Sequence, residues 1–139
     1  MGERSVTFVG LNPSTADATE DDPTIRRCVG FARAWGFDWL FMGNLHAFRA
    51  TDPRALPDDA LYAVGPRNPE ALVWMTQRSE LVIAAWGAYP LTDFARALSR
   101  RILELPYTRH LGRNRDGSPK HPLYLPKTVE PQMFRQEQA

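Results

Sequence analysis

An apolar run that stops on a glycine and continues as Asn-Pro constrains this chain more than any other stretch. Val6-Thr7-Phe8-Val9 is rich in β-branched and aromatic residues and Gly10 ends it, which is the pattern of a buried strand closed by a turn. The turn, Gly10-Leu11-Asn12-Pro13-Ser14-Thr15, puts Asn12 just past the carboxyl end of that strand, where open α/β sheets bind their ligands. Pro13 fixes its own φ and disfavours the α region at Asn12, so the amide is presented on a stiff turn. Ser14, Thr15 and Asp17 add small polar groups able to cap a helix or hold an anion. An ordinary Asn-Pro turn with no chemical role is the competing reading.

Downstream, Asp22-Pro23-Thr24-Ile25 has the pattern of a helix start, an Asp N-cap followed by Pro at the first position. Ile25, Cys28, Val29, Ala32 and Trp35 recur at helical spacing and Gly36 ends the run. This spacing predicts Cys28 as a core residue, with Arg26, Arg27 and Arg33 in solvent. Trp39-Leu40-Phe41-Met42 predicts a second buried strand, closed by Gly43-Asn44. Strand, helix and strand in succession make a βαβ unit, with parallel strands and a right-handed crossover. Asn44 then stands at the end of strand two as Asn12 stands at that of strand one.

Leu45–Asp59 is irregular, and its His46, Phe48 and Arg49 are candidates for a pocket mouth or parts of an ordinary loop. Helices are expected from Pro57 to Val64 and from Asn68-Pro69 to Arg78. Leu81–Trp86 is uniformly apolar, as a central parallel strand is. Thr92-Asp93 caps a helix to Leu103, with Phe94, Ala97, Leu98 and Ile102 expected inward, and Tyr107–Leu111 supplies a fourth strand. Gly112–Pro126 combines glycines, prolines and basic residues before His121-Pro122, which predicts a stiffened basic loop without regular structure. In it, Arg113, Lys120 and His121 are candidates for contact with phosphate or a leaving group.

The expected fold is therefore α/β: a three-layer α/β/α sandwich around a central, mainly parallel four-stranded sheet. The 139 residues suit one domain, 1–139, of which 128–139 reads as a loosely ordered tail where Met133 and Phe134 are able to dock. Net charge is +1, but residues 96–127 carry eight Lys/Arg against Glu104 and Asp116, a phosphate-facing patch or a solvated surface. A single cysteine excludes an internal disulfide and fits a reducing compartment. No apolar run approaches the roughly 20 residues of a membrane helix, and no signal-peptide pattern opens the chain. A cytoplasmic protein without membrane contact is expected. No P-loop lysine motif, G-x-G-x-x-G or zinc-spaced Cys/His cluster occurs, so no cofactor or metal is expected.

The segments LNPSTAD, DDPTIRR, NLHAFRATDP and GRNRDGSPKHPLYL together resemble the domain-of-unknown-function family 1643 over nearly the whole chain. Gly10-Leu11-Asn12-Pro13 followed much later by His121-Pro122 is more distantly similar to the two signature motifs of the uracil-DNA glycosylase superfamily, in its mismatch-specific branch. That resemblance implies cleavage of an N-glycosidic bond in DNA or a nucleotide. Asn12 would position the attacking water, Asn44 would read the base edge, and His121 would stabilise charge on the departing base, Asn12 and His121 being the catalytic pair. Pro13, Ser14, Asp17, Asp22, Arg113 and Lys120 would line the substrate. Two other readings stand beside it: a non-catalytic nucleotide or nucleic-acid binding module, and a base- or nucleotide-modifying enzyme that uses Asp17 and Asp22.

Overall fold

The computed structural model describes residues 4–11, 23–45 and 69–134. Five strands form one sheet: β1 (Ser5–Gly10), β2 (Trp39–Asn44), β3 (Leu81–Ala84), β4 (Thr108–His110) and β5 (Gln132–Met133). Three helices accompany them: α1 (Pro23–Ala34), α2 (Pro69–Gln77) and α3 (Asp93–Leu103). The strand order is β2-β1-β3-β4-β5. The four expected strands are present and mutually parallel, whereas β5 runs antiparallel along β4, so the sheet is mixed and five-stranded rather than four-stranded. Two residues paired across a strand edge leave no hydrophobic period in the sequence, which is why β5 could not be read there.

Alternation along the strands assigns the two faces. Val6 and Phe8 of β1, with Ile83 and Ala85 of the β3 segment, pack on Cys28, Phe31 and Ala32 of α1. Phe8, Phe31 and Trp35 lie stacked, with Phe31 and Trp35 centroids 5.3 Å apart. On the other face Val9, Val82 and Ala84 meet Leu72 of α2 and Ala95, Leu98 and Ile102 of α3. The Thr7 hydroxyl, fully buried, is satisfied 2.6 Å from the Ser79 hydroxyl at the end of α2.

Two details of packing differ from the sequence expectation. The β2 strand is only partly buried: Trp39 is 53% exposed, Leu40, Phe41 and Met42 are half-buried, and no other described strand pairs with its outer side. The inward face of α3 is Ala95, Leu98, Ser99 and Ile102, while Phe94 is 56% exposed and Ala97 faces solvent. Thr92 fixes that phase by accepting the Ala95 N–H on its hydroxyl at 3.1 Å. At 100° per residue the core-facing stripe then runs through Ala95 and Leu98, and Phe94 falls outside it.

The two ends of the sheet differ in kind. At the amino ends Arg4 receives the Asp38 and Trp39 N–H groups on its carbonyl and pairs with Glu80 at 3.0 Å, which closes that edge. The carboxyl ends of β3 and β4 lead instead into the turn at Gly87 and the hairpin that begins at Gly112. Between β1 and β3 the strand order changes direction, since the chain crosses from β1 to β2 on one side and returns to β3 on the other. Such a switch point is where the connections diverge and leave a crevice.

Candidate functional site

The carboxyl rim is built from four strand ends in register. Gly10 pairs with Asn44, Leu45 N–H donates to the Gly10 carbonyl at 2.9 Å, and Ala85 N–H donates to the Val9 carbonyl at 2.9 Å. Asn44 is half-buried, and its side-chain Oδ1 lies across Gly10, 2.8 Å from the position a β-carbon there would take. A side chain at position 10 would compete with the Asn44 amide for the same space. The glycine that ends the first apolar run thus has a second purpose, which is to let a polar group from the next strand cover the strand end.

His121 arrives on the same rim through β3. Gly87, with φ of +80°, turns the chain just after Trp86, a backbone conformation that residues with a β-carbon rarely adopt. Its N–H donates to the Pro119 carbonyl at 2.9 Å, and the His121 β-carbon lies 4.0 Å from where a β-carbon on Gly87 would stand. The His121 ring is exposed, and its Nδ1 accepts the Leu123 N–H at 3.2 Å. That bond leaves Nε2 as the nitrogen directed away from its own backbone.

The segment from Gly112 to Lys120, expected to lack regular structure, is closed as a small hairpin. Arg113 and Pro119 form an antiparallel bridge, Lys120 N–H donates to the Gly112 carbonyl at 2.9 Å, and Asn114 N–H donates to the Ser118 carbonyl at 2.8 Å. Asp116 accepts both the hydroxyl and the N–H of Ser118, and those bonds hold its carboxyl below the usual carboxylate range. Gly112, Gly117 and Pro119, which argue against a helix or a long strand, are compatible with a tight hairpin tip.

Of the two basic candidates here, Arg113 lies over the Phe134 ring, 5.3 Å from its centroid, and donates to the Gly117 carbonyl. Lys120 runs its aliphatic stem beside Gly112. The basic residues of 96–127 do not form one patch. Arg113, Arg115 and Lys120 belong to the hairpin on the carboxyl rim. Arg100 and Arg101 stand in the last turn of α3, and Arg109 donates to the Pro106 and Thr108 carbonyls, both on the amino side of the sheet.

Arg27 is the site residue that the sequence did not reveal. Expected in solvent, its guanidinium instead donates from Nε to the Leu123 carbonyl at 3.2 Å and from Nη2 to the Leu125 carbonyl at 2.6 Å. It therefore ties the segment that follows His121 to α1. The only available signal was its place near the start of α1, which the βαβ connection puts at the carboxyl rim. Cys28 is fully buried in the α1 core as expected.

His110, at the end of β4, is also buried. Its Nδ1 accepts the Gly112 N–H at 2.9 Å, and its ring meets Phe134 edge-on at 4.5 Å. Burial, with the Arg113 charge nearby, pushes its pKa below the ordinary value of 6.5. A neutral imidazole protonated on Nε2 matches the bond from Gly112.

Asn12, Pro13, Ser14, Asp17 and Asp22 lie outside the described residues, as do His46, Phe48, Arg49 and the helix expected at 57–64. Leu11, the last described residue before the first of these segments, leaves β1 at the rim that carries Asn44. Among the described residues no helix is long and apolar enough to cross a membrane.

Fold and rim together define an α/β protein with helices on both sides of a mixed sheet and with Asn44 and His110 at the carboxyl ends of parallel strands. The chain belongs to the protein family of unknown function DUF1643, whose model matches residues 1–123. No curated protein and no solved structure matches it. The match agrees with the family resemblance carried by the LNPSTAD-to-HPLYL segments. None of these comparisons extends to uracil-DNA glycosylases.

Proposed function

We propose that the carboxyl rim between Asn44 and His121 holds a nucleobase, and that the protein is a cytoplasmic hydrolase of N-glycosidic bonds in a nucleotide or in DNA. One observation carries this reading: the Asn44 amide is laid over Gly10 at the β1 end, next to the β3 turn that seats His121. A primary amide offers a donor and an acceptor side by side, which is what the edge of a nucleobase requires. His121, carried by the segment seated at that turn, supplies a donor for negative charge on a departing base. In this reading Asn12, two residues beyond Gly10, orients the attacking water through its side-chain carbonyl. Asparagine has no basic group at neutral pH, so the reaction depends on positioning and on a good leaving group. Pro13, Ser14, Asp17 and Asp22 complete the site from the same connection, and Arg113 and Lys120 face the phosphates.

The test is base release from uracil-, hypoxanthine- and mismatch-containing oligonucleotides and from the corresponding nucleotides, comparing wild type with Asn12→Ala and His121→Ala. Release by the wild type that falls by two or more orders of magnitude in Asn12→Ala supports the proposal. Wild-type protein that binds these substrates without releasing a base would remove the catalytic part and leave a binding module. Activity that requires Asp17 and Asp22 but not Asn12 would replace it with a different chemistry.

A further inference from the structure

The most exposed large apolar side chains described are two tyrosines, and both belong to the rim segments joined at Gly87 and His121. Tyr89 is 72% exposed and Tyr124 is 89% exposed. Tyr89 lies two residues past Gly87 in the turn from β3 to α3, and Tyr124 lies three residues past His121. The Gly87 N–H bond to Pro119 fixes one segment against the other. Along the chain the two tyrosines are separated from that junction by seven residues in all, at most about 25 Å of backbone. Tyr124 is held at its base, since Leu125 N–H donates to the Pro122 carbonyl at 3.2 Å and the Arg27 guanidinium bonds the carbonyls on either side of it. The held backbone presents the Tyr124 ring to solvent at a defined place on the rim, with its face available to stack on a ligand.

Charge on the same segments selects the occupant. Arg113, Arg115 and Lys120 come from the hairpin that precedes His121, three cations against the one acid among them, Asp116, whose carboxylate is held by Ser118. Aromatic rings alternating with cations are what a nucleic-acid strand with unpaired bases requires: rings stack on bases and cations follow the phosphates. A duplex keeps its bases stacked on one another and offers such rings no face.

We propose that Tyr89 and Tyr124 form a stacking platform for single-stranded nucleic acid, with Arg115 and Lys120 along its backbone. This deepens the reading above by naming a single strand, rather than a free nucleotide, as the form in which the base reaches the rim.

The experiment measures fluorescence anisotropy of a labelled oligo-dT of ~12 nucleotides, a length within the range of single-strand sites. Wild type is compared with Tyr89→Ala, Tyr124→Ala and the two corresponding Phe variants, all checked for unchanged thermal unfolding. Each Ala variant is expected to weaken binding roughly tenfold, and each Phe variant to retain it, because stacking needs the ring and not the hydroxyl. The proposal is overturned if the wild type does not bind the single strand. It is equally overturned if the folded Ala variants bind as tightly as wild type, or if the Phe variants lose binding as the Ala variants do. Base release is scored separately. Tyrosine-dependent binding without release by any substrate sinks the hydrolase and keeps the platform, whereas release that is indifferent to both tyrosines sinks the platform alone.

Discussion

Asn44 Oδ1 occupies the space that a β-carbon on Gly10 would need, 2.8 Å from its position. Gly10→Ala must therefore turn the Asn44 amide away, and because the displaced atom is the end of a side chain, the fold loses only about 1 kcal/mol. The site loses more: base or nucleotide affinity is expected to fall roughly five- to a hundredfold, as for a lost hydrogen bond to a bound polar group. Gly43→Ala is the matched control. A β-carbon there runs into Leu72 Cδ1 of α2, so that variant costs about 1–3 kcal/mol by overpacking while Asn44 stays on Gly10. Thermal melts and ligand titrations on both variants separate the effects. Equal affinity loss in the two would show that Asn44 placement is not what matters.

Arg27 bonds two carbonyls that flank Tyr124. Arg27→Ala removes both charge-assisted bonds, and since the side chain is only half-buried we expect a loss of about 1–2 kcal/mol, not the full value of two buried bonds. Amide exchange in 121–126 should rise more than elsewhere, because the tether is local. Arg27→Lys should not restore protection, since a point charge cannot bridge two carbonyls as a planar fork does. Restoration by lysine would show that charge alone holds the segment.

His110 gives the fold a pH dependence with a defined sign. Its pKa is lowered in the folded state by burial and by Arg113, so below the ordinary value of 6.5 the unfolded chain binds the proton more readily. Stability from this group is present above that value and is lost as pH falls beneath it. Protonation also puts a proton on the Nδ1 that accepts the Gly112 N–H. Urea midpoints measured from about pH 7.5 down to about pH 5 should decline, and His110→Gln should flatten the decline. An unchanged slope in that variant would assign the dependence to other groups.

How much of this was legible varies with the range of the interaction. The four parallel strands, the cap at Thr92 and the buried Cys28 follow from local pattern, because each is decided within a few residues of itself. The phase of α3 was misread since Phe94 is the most hydrophobic residue near its start, and hydrophobicity does not override where the Thr92 cap begins the turn. The exposure of β2 depends on strand order, which composition does not encode. The Arg27 contacts span 96 and 98 residues of sequence, and no periodicity reports a pairing between a helix face and a distant loop. Asn44 was legible as a rim residue because two parallel strands place their ends together. That Gly10 makes room for it was not, since a glycine at a strand end reads equally well as a turn.

The division of basic residues between the two ends of the sheet makes a prediction about salt. If nucleic acid binds at the carboxyl rim, only cations there displace counterions from its phosphates. Arg115→Ala and Lys120→Ala should each lower the slope of log affinity against log salt by about one, weakening binding without regard to base sequence. Arg109 is turned back onto the Pro106 and Thr108 carbonyls, and Arg100 stands in the last turn of α3, so Arg100→Ala and Arg109→Ala should leave the slope unchanged. In the sequence all four fall in one basic segment, 96–127. Salt titrations with a single-stranded oligonucleotide decide whether the four act alike: a slope that drops equally for Arg100→Ala and Arg115→Ala would place the nucleic acid across the molecule and not on the carboxyl rim.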